Sequence, residues 1–254
     1  MITLKSNREI SLMKEAGEVV KKVFEALKEA TRPGISTLEL DEIAEKVMIE
    51  NDSISGSKGY YDYPGAICIS VNETLVHGIP SKKIILREGD IVSYDVVVKK
   101  HGYYADACRT YPVGTISSEA KRLIEVTRSS FYEAVKLVKP GVHLGDISEA
   151  VQKYNESHGY NLSRDYTGHG IGKEMHEDPA VPNVGKAGTG PILKEGMCIC
   201  IEPMVCQGKG ETRVLGDGWT AKTKDGKLSC HYENTVVVTS DGYEIITLDK
   251  GEIN

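Results

Sequence analysis

The sequence contains no long apolar run. No stretch of about 18 apolar residues, the length that a membrane-spanning helix requires, occurs among its 254 residues. The opening segment, MITLKSNREI, also lacks the apolar centre of a secretory signal. We therefore expect a cytoplasmic protein that neither spans a membrane nor carries an export signal of this kind.

Positive charge and paired cysteines are scarce as well. Lysine and arginine total 31 against 37 acidic residues, a formal charge of −6, so no basic field favours nucleic acid or an anionic membrane as a partner. The six cysteines show no CxxC spacing, the pattern of many zinc and redox motifs. Cys198 and Cys200 alternate along an apolar run, which indicates buried, reduced thiols in a cytosolic protein rather than disulfides.

What the sequence does contain is an internal repeat. The segment FEALKEATRPGISTLELDEIAEK (24–46) resembles FYEAVKLVKPGVHLGDISEAVQK (131–153), which begins 107 positions later. At the same offset, LREGDIVSYDVVV (86–98) lies over LKEGMCICIEPMV (193–205). Two separated segments are unlikely to share one offset by chance, so we predict a single domain, 1–254, built from halves of about 1–112 and 113–254.

Local signals predict the elements of each half. Apolar positions at helical spacing cover residues 8–31 and stop at Pro33–Gly34, and Ser36 with Glu39 has the spacing of a capping box for a second helix. Strand patterns follow at 66–71, 91–98, 103–108, 197–202 and 229–238. Helices and strands are segregated rather than alternating, which favours an α+β fold with helices outside a curved, mostly antiparallel sheet.

Acidic residues stand inside these apolar strand patterns. Asp95 and Glu202 occupy equivalent positions of the repeat. If residues 99–102 form a four-residue hairpin loop, Asp95 faces Asp106, and two opposed carboxylates must share a proton or hold a cation. Glu202 and Glu233 repeat this situation in the second half, so a cation is the better interpretation.

The stretch YTGHGIGKEMHEDP (166–179) supplies the remaining candidates. Its alternating glycines predict an extended segment that something approaches closely. His169 and the four acids form a mixed oxygen and nitrogen set for two divalent ions, which suits Mn, Fe(II), Co or Zn. His176 is then free to act on substrate. A phosphate-binding loop is disfavoured because GHGIG lacks the Lys and Ser/Thr of that motif, and Cys68 or Cys108 as a nucleophile has no local base.

These residues carry a resemblance to a known family. The chain resembles the methionine aminopeptidases of the short, bacterial-type form (type I) in metallopeptidase family M24. The resemblance covers nearly the whole chain and depends on five segments: CISVNETLVHGIP (68–80), SYDVVV with ADACRTYPVG (93–98 and 105–114), GHGIGKEMHEDP (168–179), CIEPM (200–204) and DGWTAKTKDGKLSCHYENTVVVT (217–239). It implies the pita-bread fold, with two pseudo-two-fold-related halves, and removal of the initiator methionine before a small second residue.

The resemblance also assigns roles. It implies a dinuclear metal site whose ligands are Asp95, Asp106, His169, Glu202 and Glu233. Asp106 and Glu233 would bridge the metals, and Glu202 would also transfer the proton of the attacking water. His77 and His176 would bind substrate and stabilise the developing oxyanion. A monovalent cation would bind near Asn72, Thr74 and Ser229.

A methionine pocket is implied as well, at Tyr60, Tyr63, Cys68, Met175 and Trp219, which is the only tryptophan of the sequence. Three positions depart from the family pattern. Met175 stands where an aromatic residue is common, Ser57 where a cysteine often lies, and His231 where an amide is more usual. These changes affect the pocket and leave the implied ligands intact.

Two other classes remain open. Xaa-Pro aminopeptidases and prolidases share the implied ligands but usually carry a large additional N-terminal domain, whereas this chain begins almost at once with the first helix. A non-catalytic binding module of the same fold would be expected to have lost ligands. For the favoured class we expect peptide or nascent-chain N-termini as substrates, transient contact with the ribosome, and a monomer.

Overall fold

The computed structural model describes residues 1–248 of the chain, so residues 249–254 of the predicted domain lie outside the described part. Helices in this part are α1 (Asn7–Ala30), α2 (Thr37–Glu50), α3 (Ser118–Val135) and α4 (Leu144–Ser157), with a short 3-10 turn at Tyr60–Asp62. No helix of residues 1–248 combines the length and the apolar character needed to cross a membrane.

The strands fall into one large sheet and two small ones. In chain order they are β1 (Ile54–Ser55), β2 (Cys68–Val71), β3 (Thr74–Val76), β4 (Ile91–Lys100), β5 (Tyr103–Pro112), β6 (Asn161–Leu162), β7 (Thr167–Gly170), β8 (Glu177–Pro182), β9 (Cys198–Ile201), β10 (Met204–Cys206), β11 (Thr212–Val214), β12 (Ala221–Thr223), β13 (Ser229–His231), β14 (Glu233–Val238) and β15 (Tyr243–Ile245). The large sheet has the order β1-β4-β5-β14-β9-β7-β8, with β2 on β4 and β15 on β14. The strand pairs of residues 1–248 are antiparallel, so the α+β prediction is confirmed.

The first helices begin where capping chemistry predicts. The predicted helix at 8–31 is α1, and Ser6 with Glu9 forms a capping box at its start. The predicted box at Ser36 and Glu39 opens α2, where the Ser36 amide and hydroxyl both donate to the Glu39 carboxylate. Each box satisfies amide groups that a helix start leaves without partners, which fixes the first residue of the helix.

The repeat at 107 positions extends to single hydrogen bonds. Helix α4 begins and ends 107 positions after α2, and β9 begins 107 positions after β4. Gly34 and Gly141 have φ values of 90° and 91°, which only glycine adopts freely. The Gly34 amide donates to the carbonyl of Leu86 at 2.8 Å, and the Gly141 amide donates to that of Leu193 at 2.9 Å. The glycine of each Pro-Gly turn therefore makes the equivalent backbone hydrogen bond in both halves.

The large sheet presents different side chains on its two faces. On β4, Val92, Tyr94 and Val96 pack with α1 and α2 in one apolar core, because successive strand residues point to opposite faces. In the second half, β9 and β14 contribute alternate residues to a core with α3 and α4. Asp95 points away from the helices, so a face opposite to them remains for polar groups.

The predicted register of the β4–β5 hairpin is wrong. Lys100 pairs with Tyr103, which leaves a two-residue turn instead of the predicted four-residue loop. His101 and Gly102 both have positive φ, 50° and 81°, and a turn of this kind matches the twist of the flanking strands. Asp95 therefore faces Cys108, and Asp106 is displaced by two positions along the same face.

Two other boundaries also differ from the prediction. Strand β9 stops at Ile201, so Glu202 follows the strand instead of ending it. The predicted strand at 229–238 is interrupted at Tyr232, which separates β13 from β14. The two pieces join different sheets, because β13 pairs with β10 while β14 lies between β5 and β9.

A buried arginine joins the two halves on the helix side of the sheet. Arg109 on β5 is 3% exposed, and its guanidinium donates to the carbonyl of Glu233 at 2.5 Å and to Asn234 Oδ1 at 2.7 Å. It also lies over the rings of Phe24 and Tyr232, at 5.1 and 4.5 Å. One side chain of the first half thus binds the β14 backbone of the second half.

We expect Arg109→Lys to lower the free energy of unfolding by about 3 kcal/mol, because an ammonium cannot reproduce the planar fork and its loss leaves buried acceptors without donors. Urea unfolding monitored by circular dichroism measures the change. Arg213→Lys, at an exposed position of β11, is the control and should have little effect. Equal stability of the two variants would contradict a structural role for the guanidinium.

Candidate metal centre

Strand register lines up the acidic residues in a row across the sheet. Asp95 on β4 faces Cys108 on β5, and Cys108 faces Glu233 on β14. Glu202 stands one place beyond the last paired residue of β9, next to Glu233. Three of the four predicted acids therefore lie in one row, contributed by both halves.

A second row runs beside the first. Asp106 on β5 lies next to Thr235 on β14. The Thr235 hydroxyl accepts a hydrogen bond from the Asp106 backbone amide at 2.9 Å and donates one to the Asp106 backbone carbonyl at 2.8 Å. Thr235 faces Cys200 on β9. Gly170 of β7 pairs with Ile199 of β9. Because the strands are antiparallel, the residue before Gly170, His169, lies beside the residue after Ile199, Cys200. Residues two apart on a strand share a face, so both rows point into the same space.

The glycines around His169 allow its strand to approach its neighbours. A Cβ on Gly168 would stand 2.3 Å from the carbonyl oxygen of Cys200, and one on Gly170 would stand 2.2 Å from that of Asp178. Larger residues are excluded because both contacts are with backbone. The predicted extended segment is confirmed as β7, and the groups that come close to it are β8 and β9.

His169 presents one ring nitrogen to the acids. Its Nδ1 lies 2.9 Å from the carbonyl of Gly170, so the proton there donates to the backbone and Nε2 keeps its lone pair. That Nε2 is 3.7 Å from Asp106 Oδ2 and 3.6 Å from Glu202 Oε1. These separations exceed a hydrogen bond and match ligands about 2.1 Å from a shared ion.

The electrostatics of these groups describe a site that requires positive charge. Burial raises the pKa of Asp95 to about 6 and raises the pKa values of Asp106, Glu202 and Glu233 well above their usual range, and neighbouring carboxylates add to the rise for the last three. Burial lowers the pKa of His169 to about 3. Asp95 Oδ1, Asp106 Oδ1 and Glu233 Oε1 are buried without a hydrogen-bond partner. Buried carboxylates are paired or bind metal, so the residues fit divalent ions.

The ligand atoms form two groups that share one residue. In the first, atoms of Asp106, His169, Cys200 and Glu233 lie within 4.8 Å of one another. In the second, the same is true of Glu202, His231 and Glu233. A carboxylate that belongs to both groups can bridge two ions, which is the role that the resemblance gives to Glu233.

All the predicted metal-ligating, catalytic and substrate-binding residues line one cavity of about 400 Å³. They are the acids and histidines Asp95, Asp106, His169, Glu202, Glu233, His77 and His176, together with Tyr60, Tyr63, Cys68, Met175 and Trp219. Ser57 and His231, two positions that depart from the family pattern, also line this cavity.

His77 and His176, which are predicted to bind substrate, lie at the cavity wall. His176 Nδ1 lies 2.8 Å from the hydroxyl of Tyr60, and its ring centroid is 4.3 Å from that of His169. His77 has a φ of 57°, which is uncommon for a residue with a Cβ and persists only where the surroundings enforce it. Burial lowers the pKa of His77 to about 4 and also lowers that of His176, so both rings are neutral near pH 7.

Aromatic rings form the apolar wall. Trp219 lies edge to face with Tyr63 and His77, at centroid distances of 5.1 and 5.8 Å. The Tyr63 hydroxyl donates to the carbonyl of Gly78 at 2.8 Å, which satisfies the polar end of this buried ring. Met175, 5% exposed, provides a flexible thioether at the same cavity.

Sequence reasoning missed the ion pair that supports the loop carrying Met175 and His176. Lys5 Nζ lies 2.7 Å from Glu177 Oε2, and both side chains are largely buried. Glu177 Oε1 accepts from the amides of Lys173 and Glu174 at 2.9 and 3.2 Å. No local pattern indicates a pair so distant in sequence. The position of His231 could have been suspected, since it is two residues from Glu233.

Near the predicted monovalent-cation site, the Asn72 carbonyl accepts from the Ser229 amide and hydroxyl, at 2.9 and 3.0 Å. Asn72 itself has a positive φ of 54°. The structure thus brings Asn72 and Ser229 into contact, with Thr74 on the adjacent β3.

Comparison with known proteins gives consistent results. The profile of metallopeptidase family M24 matches residues 11–240. The methionine aminopeptidase of Clostridium acetobutylicum is 48% identical over 248 residues, which are 98% of this chain and 99% of that protein. The crystal structure of methionine aminopeptidase from Thermotoga maritima superposes with a TM-score of 0.97 at 42% identity, covering 98% of this chain and 100% of that one.

A more distant likeness concerns the fold alone. Prolidase from Pyrococcus furiosus matches with a TM-score of 0.80 at 24% identity, covering 97% of this chain and 66% of that chain. Together with the Thermotoga maritima structure, it confirms the expected pita-bread fold.

In metal-free protein at pH 8, we expect Asp95→Asn to raise the free energy of unfolding by about 1 kcal/mol, because it removes one of several buried, mutually repelling charges. The pKa of Asp95 is raised in the folded state, to about 6, so the folded state holds a proton that the unfolded state releases. Stability of the wild type should therefore fall as pH rises from about 4 to 6, and the variant should lose less over that range.

Urea unfolding of chelator-treated protein at pH 4.5 and pH 8 measures both effects. Asp52→Asn, at an exposed position, is the matched control. A variant that is less stable than the wild type at pH 8 without metal would show that Asp95 stabilises the fold instead of straining it.

Proposed function

The chain belongs to the methionine aminopeptidases of metallopeptidase family M24, and on that premise we propose that the acidic cavity is its active site. The enzyme is a metal-dependent hydrolase that removes the N-terminal initiator methionine from nascent proteins and peptides. One observation carries the assignment of the site: buried acids of both halves, the histidines and an aromatic slot all line one cavity.

We propose Asp95, Asp106, His169, Glu202 and Glu233 as ligands of two divalent ions. In this assignment Asp106 and Glu233 would be shared by the two ions, Asp95 would hold one of them, and His169 and Glu202 would hold the other. Such ions supply Lewis acidity and a bound water of lowered pKa. The mixed oxygen and nitrogen set admits Co, Mn, Fe(II) or Zn, and availability in the cell decides among them.

Glu202 is proposed to move the proton. It follows β9 directly, faces the cavity, and has Oε1 near His169. Burial raises the pKa of Glu202, with Asp106 and Asp95 adding to the rise, and a carboxylate of raised pKa can accept a proton near neutral pH and return it to the leaving amine.

His77 and His176 are proposed to bind the peptide and to donate to the oxyanion that develops at the scissile carbonyl. Each is neutral near pH 7 because burial lowers its pKa, and a neutral imidazole still donates one N–H. The hydroxyl of Tyr60 orients His176, so that donor is positioned before the charge forms.

The methionine side chain is proposed to occupy the slot formed by Tyr60, Tyr63, Cys68, Met175 and Trp219. Sulfur in contact with an aromatic ring contributes roughly 0.3–1.5 kcal/mol, which favours a thioether over a simple alkyl chain. The departures Met175 and Ser57 both line this cavity, so they are the positions at which side-chain preference would differ from that of relatives.

Further proposals concern the setting of the enzyme. Its six cysteines are free and buried, which supports a reducing compartment, the cytoplasm. We propose a monomer that meets nascent chains through transient contact with the ribosome, and one catalytic domain, 1–254, of two halves (about 1–112 and 113–254). A monovalent cation near Asn72, Thr74 and Ser229 is proposed on the family resemblance and on the contact between Asn72 and Ser229.

Chelator-treated protein restored with Mn²⁺ or Co²⁺ should release methionine from Met-Ala-Ser, far more slowly from Met-Leu-Ser, and nothing from Ala-Pro-Ser. Asp95→Asn should lower kcat/KM by at least about a hundredfold, because a bound ion loses a charged ligand. Cleavage of Ala-Pro-Ser in preference would move the assignment to Xaa-Pro peptidases. Binding of metal without any cleavage would favour a binding module.

Lys5→Met should lower kcat/KM for Met-Ala-Ser by roughly tenfold, mainly through KM, because Glu177 loses the cation that holds the loop of His176. Lys5→Arg should restore most of the loss. Lys14→Met, which removes a half-exposed surface pair with Glu244, is the control. Unchanged kinetics of Lys5→Met would show that the loop keeps its position without this ion pair.

A further inference from the structure

His231 is a buried imidazole that hydrogen bonding does not explain. It ends β13, is 2% exposed, and lines the acidic cavity. Its Nε2 is buried and has no hydrogen-bond partner. A buried polar atom without a partner is unfavourable unless something binds it, so its presence requires an explanation.

The position of this nitrogen relative to the acids supplies one. His231 Nε2 lies 3.6 Å from Glu202 Oε2 and 3.8 Å from Glu233 Oε2. Both distances exceed a hydrogen bond, although all three groups are buried and could turn toward one another. Two atoms that each bind an ion at about 2.1 Å with tetrahedral angles stand about 3.4 Å apart, close to what is seen.

The same pattern is present at His169, a proposed ligand. His169 Nε2 lies 3.7 Å from Asp106 Oδ2 and 3.6 Å from Glu202 Oε1. Glu202 therefore lies between two imidazoles and turns one oxygen toward each. Each imidazole points a ring nitrogen at two carboxylate oxygens, one of Glu202 and one of a second acid, which is Asp106 for His169 and Glu233 for His231.

We propose that His231 is a metal ligand, which binds through Nε2 a divalent ion that it shares with Glu202 and Glu233. This inference rests on the proposed metal centre and adds a second imidazole to it. A further nitrogen shifts the set away from Mn²⁺, which favours oxygen ligands, toward Co²⁺, Fe²⁺ or Zn²⁺.

Cobalt(II) substitution tests the proposal without measuring activity. Chelator-treated protein is loaded with Co²⁺, and proton NMR detects the N–H protons of cobalt-bound imidazoles as strongly shifted resonances that exchange in D₂O. The wild type should show two such signals, from His169 and His231. His231→Gln should show one, and its Co²⁺ affinity by calorimetry should fall by at least about tenfold.

His77→Gln is the matched control, because His77 lines the same cavity and is not among the groups of clustered ligand atoms. It should keep both signals and the wild-type affinity. Retention of the His169 signal in His231→Gln shows that this variant is folded around its remaining ligands.

Two results would overturn the inference, and they differ in what else they overturn. If His231→Gln keeps the wild-type signals and affinity, His231 does not bind metal, and the five proposed ligands stand. If the wild type binds no Co²⁺ at all, the proposed metal centre fails together with the role of His231.

Discussion

Repulsion among buried carboxylates is the constraint on which the rest of the structure depends. Asp95, Asp106, Glu202 and Glu233 lie together in one cavity, and burial opposes the charge of each. Such a cluster is stable only where a rigid backbone holds it and cations complete it. Antiparallel pairing of β4, β5 and β14 provides the backbone, because hydrogen bonds between strands fix side chains that would otherwise turn apart.

One face of the large sheet packs against the helices, and the opposite face carries the acids of the proposed site. Toward the helices, alternate residues of β4, β9 and β14 form apolar cores, and Arg109 binds the β14 backbone. On the other face, β4, β5 and β14 carry Asp95, Asp106 and Glu233, and Glu202 directly follows β9. One register therefore determines both the packing and the site, and a shift of a strand by one position would exchange the two sets of side chains.

Physical reasoning from the sequence indicated the elements, the four acids and His169, whereas His77 and the aromatic slot were implied only by the family resemblance. The repeat could be detected because both halves need the same Pro-Gly turn, with glycine at positive φ at 34 and 141. Asp95 and Glu233 stood out because acids interrupt apolar strands. The hairpin register failed because His101–Gly102 forms a turn tighter than the assumed loop. The Lys5–Glu177 pair could not be predicted, since it joins segments far apart in sequence.

The place of β14 in the sheet has a consequence for synthesis. This strand follows all other strands of the large sheet except β15 in chain order, yet it lies between β5 of the first half and β9 of the second. While the ribosome is still adding residues before 233, β5 has no neighbour on one side, and an unpaired strand edge invites association with other chains. The first half can pack its helices early, but the acids from the two halves meet only after residue 233 has been added. The proposed metal centre of an enzyme that acts on nascent chains therefore cannot assemble on its own nascent chain until β14 has been made.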